Sequence, residues 1–284
     1  MSERPTASSL FFGAIGDLLT NFGAVLRIGA PWFLIYLALN ALAGRFYAHW
    51  VLYDVNQISP GPPNEWYLTA MFLLMLGTVA ASWHRFMTLG ETPRFLPQMR
   101  LVIILKYVLA WVVIGIIIGS ILLVCLGLPA LLLSALVDQA FQDVIAGLLQ
   151  DSVFVPSGLS VGLIGLALFF VFLVVTLSIL LLYRMGIGLP SVAILDGEGI
   201  GMRASWRATR GMGGAILGAS LISAIGSVIL YGVVFSGFFL PSESYSTATE
   251  VTMRLGFAVT DIITMLVGTA ILTRIYQAVP EESL

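Results

Sequence analysis

The chain has 284 residues, 59% of them apolar and only 10% charged, with a mean hydropathy of +1.01. Globular proteins carry about 25% charged residues, so too few are present here to wet a soluble surface, and the same figures exclude a disordered chain or a disulfide-built secreted domain. Thirteen Lys and Arg against fifteen Asp and Glu give a net charge of −2, a balance that excludes nucleic acid as a partner and leaves a polytopic membrane protein.

The opening Met1-Ser-Glu-Arg-Pro5 is polar, and no small-residue cleavage site follows it. The first span is therefore expected to act as the targeting signal. An amphipathic helix over 8–28 comes next, with Ser8 or Ser9 as its cap. Its apolar stripe is Phe11, Ile15, Leu18, Phe22 and Val25, and Asp17, Thr20 and Asn21 take the other side. That spacing suits a helix lying in the membrane interface, or one packed under the bundle.

A spanning helix needs roughly 20 apolar residues. Six stretches qualify: about 31–53, 66–84, 101–126, 158–183, 213–239 and 255–274. Basic residues set their orientation. Arg4 and Arg27 precede the first span, Arg85, Arg94, Arg100 and Lys106 lie around the second and third, Arg184, Arg203, Arg207 and Arg210 lie between the fourth and fifth, and Arg274 closes the sixth. The alternate connections 54–65 and 128–157 and residues 240–253 carry Asp and Glu but no Lys or Arg. Both termini are thus expected in the cytoplasm. The first outer turn, Ser59-Pro-Gly-Pro-Pro-Asn64, is flanked by Trp50, Tyr53, Trp66 and Tyr67, which belong at headgroup depth.

Residues 128–150 are long enough to cross as well, but Asp138, Gln139, Gln142 and Asp143 would then sit near the bilayer centre. Each central Asp costs about 2.5–3.5 kcal/mol. With Leu133, Val137, Ala140, Val144 and Leu148 on one side, the stretch reads as an amphipathic helix on the outer surface. Five or seven spans stay open at this point. Cys125 is a lone cysteine in an apolar run, expected to be buried and unable to form an internal disulfide.

The expected fold is therefore an all-α, single-domain transmembrane bundle over residues 1–284, arranged as three hairpins. Gly115-x-x-x-Gly119, Gly158-x-x-x-Gly162 and Gly214-x-x-x-Gly218 offer close helix packing, within the monomer or between copies.

Two sets of residues stand out. Arg45 and Asp261 fall at matching depth in the first and last spans, where opposite charges would offset each other's cost of burial. A contact between them is expected, with His49 and Asn40 extending a polar path; the alternatives are Arg45 snorkelling outward with a protonated Asp261, and a proton or ion pathway. The second set lies in the connection 184–212. Arg203, Trp206, Arg207 and Arg210 recur at i, i+3, i+4 and i+7, one helix face suited to anionic lipid headgroups or to a protein partner. An ordinary cytoplasmic anchor needs the same arginines.

Several chemistries fail on spacing. Asp196-Gly-Glu198-Gly lacks the later ligands of a calcium loop, and Gly197-x-Gly199-x-Gly201 lacks a preceding strand. His49 and His84 fall in opposite halves of the membrane, so no metal or other cofactor site is expected. There is no phosphate-binding loop and no Gly-x-Ser-x-Gly. An enzyme is not expected.

Tyr183-Arg184, Leu189-Pro190-Ser191-Val192-Ala193-Ile194, Ala204-Ser205-Trp206-Arg207-Ala208-Thr209-Arg210-Gly211 and the closing Thr273-Arg274-Ile275-Tyr276 form a pattern. It resembles the six-span bacterial inner-membrane proteins of uncharacterised function related to the membrane domain fused to glycerophosphodiester phosphodiesterases. The main run, 183–214, is about a tenth of the chain. No phosphodiesterase domain is present in the sequence, so the resemblance implies a bacterial inner-membrane bundle and no catalytic activity. A scaffold or modulator of a membrane assembly or its lipids is the expected role, with a transporter or channel for a small solute as the alternative. A third reading, a sensor of membrane state, would act through helices at 8–28 and 200–210.

Overall fold

Long apolar runs without period-two alternation satisfy their backbone groups as helices, the only open-ended structure a bilayer tolerates. The computed structural model describes residues 5–49, 66–94, 101–127, 158–195, 197, 199–235 and 246–280, and among these it contains no strand. Nine α-helices lie within the described residues: α1 (Ala7–Thr20), α2 (Phe22–His49), α3 (Trp66–Leu89), α4 (Leu101–Leu122), α5 (Gly158–Met185), α6 (Gly188–Ile194), α7 (Met202–Ala208), α8 (Gly213–Phe235) and α9 (Thr247–Ala278). Helices α2, α3, α4, α8 and α9 are each long and apolar enough to cross a membrane. The end of α5 and α6 meet at a 42° bend and make a sixth span if counted as one bent rod. The chain is an all-α transmembrane bundle, as its composition demands.

Helix α9 is the axis of the packing, touching α1, α2, α3 and α8, while α4 and α5 close the bundle on the side away from α2. Lipid gives helices no hydrophobic reason to associate, so close approach and polar contacts must hold them. Gly44 of α2 faces the backbone of Val251, where an added Cβ would lie 3.1 Å from the Val251 Cα. One apolar cluster, including Ile28, Tyr36, Met75, Ala258 and Met265, joins α2, α3 and α9. A larger one, including Leu10, Trp83, Tyr107, Ile187, Ile216 and Ile275, fills the end where α1 docks. Leu105, Leu109 and Ile116 of α4 and Leu221, Ile225 and Ile229 of α8 point outward, the apolar coat that acyl chains solvate.

The N-terminal boundary differs from the expected helix over 8–28. Thr6 caps α1 through a capping box with Ser9, and the helix stops at Asn21, whose side chain and N–H both donate to the Asp17 carbonyl. Residues 22–28 belong instead to α2, which runs through Pro31 into the span. Nor does α1 lie alone in the interface. It sits on α8 and α9, with Leu10 and Ala14 buried and Phe12 and Leu19 outward. Gly218 makes room for Ala7, while Gly214 faces open space, so only one member of the pair at 214 and 218 packs against a neighbouring helix inside the monomer. Gly115 and Gly119 face open space on α4. Cys125 is exposed in a π-helical turn after α4 rather than buried. The expected surface helix at 128–150, the turn at 59–64, and Gly158 and Gly162 as a packing pair lie outside what is described.

Candidate functional site: two polar clusters on α9 and an arginine-bearing end

Asp261 lies near the middle of α9, half-buried. The Tyr36 hydroxyl of α2 donates to its Oδ2 at 2.8 Å, and the Tyr231 hydroxyl of α8 donates to Oδ1 at 2.5 Å. Tyr231 stacks on Phe257, and Tyr36 lies against Phe72. Thr264 donates to the carbonyls of Thr260 and Asp261. The carboxylate thus holds two hydroxyl donors from two different helices.

The expected Arg45–Asp261 contact is not made. Tyr36 reaches Asp261 while Gly44 meets Val251 and Arg254, so α2 and α9 run antiparallel with Arg45 about 15 Å from Asp261 along the axis. Arg45 is exposed. The error is one of register: α2 begins at Phe22, nine residues before the expected span, so Tyr36 rather than Arg45 reaches the depth of Asp261. Asn40 turns back to the Tyr36 carbonyl instead of extending a path. His49 ends α2, and its side chain lies outside the described set.

Just over three turns further along α9, at Thr273, a second cluster forms. His84 of α3 is fully buried, with Nδ1 at 2.8 Å from Thr273 Oγ1 and Nε2 at 3.0 Å from the Tyr107 hydroxyl of α4. Thr273 gives its own proton to the Thr269 carbonyl, so it accepts from Nδ1–H, and Nε2 accepts from Tyr107. A neutral imidazole satisfies all three groups. Tyr183 of α5 and Ser223 of α8 make a third cross-link at 3.2 Å. Among the described residues, no three His, Cys, Asp or Glu side chains converge as metal ligands.

Apart from Arg45 and Arg254, the described basic residues gather at one end of the bundle. Arg85 pairs with Glu91 and donates to the Ala193 carbonyl, fixing α6 against α3. Lys106 reaches the Gly197 carbonyl, and Gly197 has the positive φ of 96° that this turn needs. Arg274 binds Asp17 through both carboxylate oxygens and donates to the Ser9 carbonyl, clasping α1. Gly13 lies directly under that guanidinium, and a Cβ there would push it aside. A cleft of about 310 Å³ opens beside this ion pair, lined among others by Pro5, Met87 and Gln277.

The second expected set is partly assembled. Arg203, Trp206 and Arg207 lie on α7, and all three are exposed. Arg210 falls beyond the helix end, in a 3₁₀ turn that starts after Thr209 caps α7, and is also exposed. The single continuous face therefore ends at Arg207. Arg203, Arg207 and Arg210 make no ion pair among the described residues. Arg184 stacks its guanidinium on the Trp206 ring at 4.0 Å, a contact the spacing of 203–210 did not indicate.

Comparison with family models, with curated proteins and with solved structures finds no match to this chain.

Proposed function

We propose that the chain is a non-enzymatic, multi-pass protein of a bacterial inner membrane that scaffolds or modulates a membrane assembly by holding anionic phospholipid headgroups at its arginine-bearing end. The carrying observation is the group Arg203, Arg207 and Arg210, exposed and without ion-pair partners among the described residues, beside the half-exposed Trp206. Unpaired guanidiniums next to an indole at a membrane surface match a phosphate headgroup above an acyl chain. The clasp between Asp17 and Arg274 brings the two ends of the chain to this same side, which supports cytoplasmic termini under the positive-inside rule. The resemblance of residues 183–214 to six-span inner-membrane proteins agrees with this placement.

Basic residues near an anionic surface contribute about 1 kcal/mol each, so three amount to a roughly 100-fold preference for acidic over zwitterionic lipid. The test is native mass spectrometry of the protein released from mixed phosphatidylglycerol–phosphatidylcholine nanodiscs. Enrichment of the acidic lipid, lost in Arg203→Ala/Arg207→Ala/Arg210→Ala, is the expected result; an unchanged lipid profile in the variant overturns the reading. A membrane-protein partner or a second copy is part of the proposal, as the assembly that such lipids would help to organise.

Passage of a small solute is a second reading. The 42° break between α5 and α6 favours it, because transporters build sites at interrupted helices. The unbroken course of α2 through Arg45 counts against it. Uptake by proteoliposomes would distinguish the two.

A further inference from the structure

The ion pair that clasps α1 also walls the cleft of about 310 Å³ beside it. That volume is at the small end for ligand sites, a size for a polar headgroup and not for an acyl chain. Three helices enclose it: Leu10 and Asp17 come from α1, Met87 from α3, and Arg274 and Ala278 from α9. Gln277 of α9 donates to the Met87 carbonyl and so fixes one wall to the next. Asp17 and Arg274 are the charged residues of the described lining, which therefore offers one negative and one positive group side by side.

Neither group is exhausted by the other. A guanidinium has about five N–H donors; Arg274 gives two to Asp17 and one to the Ser9 carbonyl, which leaves two. A carboxylate has about four acceptor positions, and Asp17 spends two of them on Arg274. Both side chains stay partly open, 33% for Arg274 and 21% for Asp17.

Depth and charge together select the ligand. Helix α9 has 32 residues, about 48 Å at 1.5 Å per residue, and overshoots a hydrocarbon layer of about 30 Å. With α9 centred in the bilayer, Arg274 lies about 17 Å from the midplane, just beyond the acyl chains and among the phosphates. A lone anion would be repelled by Asp17 and a lone cation by Arg274, whereas a group bearing both signs satisfies the pair. The spare N–H groups of Arg274 suit a phosphate. The spare acceptor positions of Asp17 suit a primary ammonium, which has N–H groups to give. A quaternary ammonium is held by aromatic rings instead, and none of the described lining residues is aromatic.

We propose that this cleft binds a phosphoethanolamine group, with its phosphate on Arg274 and its ammonium on Asp17. Phosphatidylethanolamine of the adjoining leaflet carries that group at this depth, and free phosphoethanolamine carries the same two charges. The bound group joins α1 to α9 a second time, and the site uses none of Arg203, Arg207 and Arg210.

The experiment is native mass spectrometry of the full chain released from nanodiscs of equal phosphatidylethanolamine and phosphatidylcholine. The expected result is retention of the ethanolamine lipid over the choline lipid by about tenfold or more. Ala278→Trp, which fills the cleft from an exposed position, and Asp17→Asn, which removes the carboxylate, should each abolish the preference. Arg203→Ala/Arg207→Ala/Arg210→Ala should keep it, so failure here and failure of the acidic-lipid reading are separate results. In a second arm, free phosphoethanolamine is added to phosphatidylcholine nanodiscs. Binding there that Ala278→Trp blocks, without retention of the ethanolamine lipid in the first arm, assigns the same site to a free solute. The proposal is overturned if the two lipids are retained equally and free phosphoethanolamine does not bind. It is also overturned if the preference persists unchanged in either Ala278→Trp or Asp17→Asn.

Discussion

The two polar clusters on α9 use similar chemistry and reach different states. Around His84, every donor meets an acceptor, nothing is charged, and the imidazole is fully buried between α3, α4 and α9. Around Asp261, two hydroxyls meet an acid that carries a charge when ionised, and the acid keeps partial access to its surroundings. The first cluster is closed and holds three helices in register. The second ties α2 and α8 to one acid of α9. A neutral, fully satisfied cluster sits in an apolar interior at little cost, whereas an acid there depends on its two hydroxyl donors.

This contrast can be broken most sharply at His84. His84→Leu strands the Tyr107 hydroxyl in an apolar interior and takes from Thr273 the bond it accepts, and should cost about 2–4 kcal/mol in reversible unfolding in mild detergent. Asp261→Asn keeps the shape and the hydrogen-bonding capacity of its site, and should cost less than about 1 kcal/mol. Equal losses in the two variants would make Asp261 another structural cross-link. Tyr36→Phe and Tyr231→Phe come next, each removing one hydrogen bond within the membrane, worth about 0.5–1.5 kcal/mol.

Smaller effects test the ends of the bundle. Asp17→Asn weakens the clasp on α1, and since both partners are a fifth to a third exposed, the loss should be near 0.5–1 kcal/mol. It should appear as faster proteolysis near Asn21. Smallest of all is Arg45→Leu, expected to change stability by less than about 0.5 kcal/mol and to combine additively with Asp261→Asn. A coupling energy in that cycle would restore the pairing of the first and last spans by charge.

The helical class and the approximate spans were legible because composition and run length alone force them. Trp66, Leu101 and Gly213 begin helices where the sequence placed spans. The site was less legible. Asp261 stood out as a costly residue, but its partners did not, since Tyr36 and Tyr231 are amphipathic and pass as apolar in a hydropathy reading. Choosing Arg45 followed from matching charges by depth, and depth depended on where α2 begins. Asn21 decides that through its bonds to the Asp17 carbonyl, a tertiary-scale consequence of one side chain that periodicity does not register. His84 was read only as a failed metal ligand, because its partners lie on α4 and α9, far away in sequence.

The clasp of Arg274 on Asp17 also bears on how the molecule is made. Helix α1 leaves the ribosome first, yet the surfaces it rests on belong to α8 and α9, and its latch is supplied by the last turns of α9. During synthesis Leu10 and Ala14 have no protein partner until nearly the whole chain has inserted. Docking of the first helix is thus among the last steps of assembly: a polypeptide cut short before residue 274 lacks the guanidinium that latches Asp17.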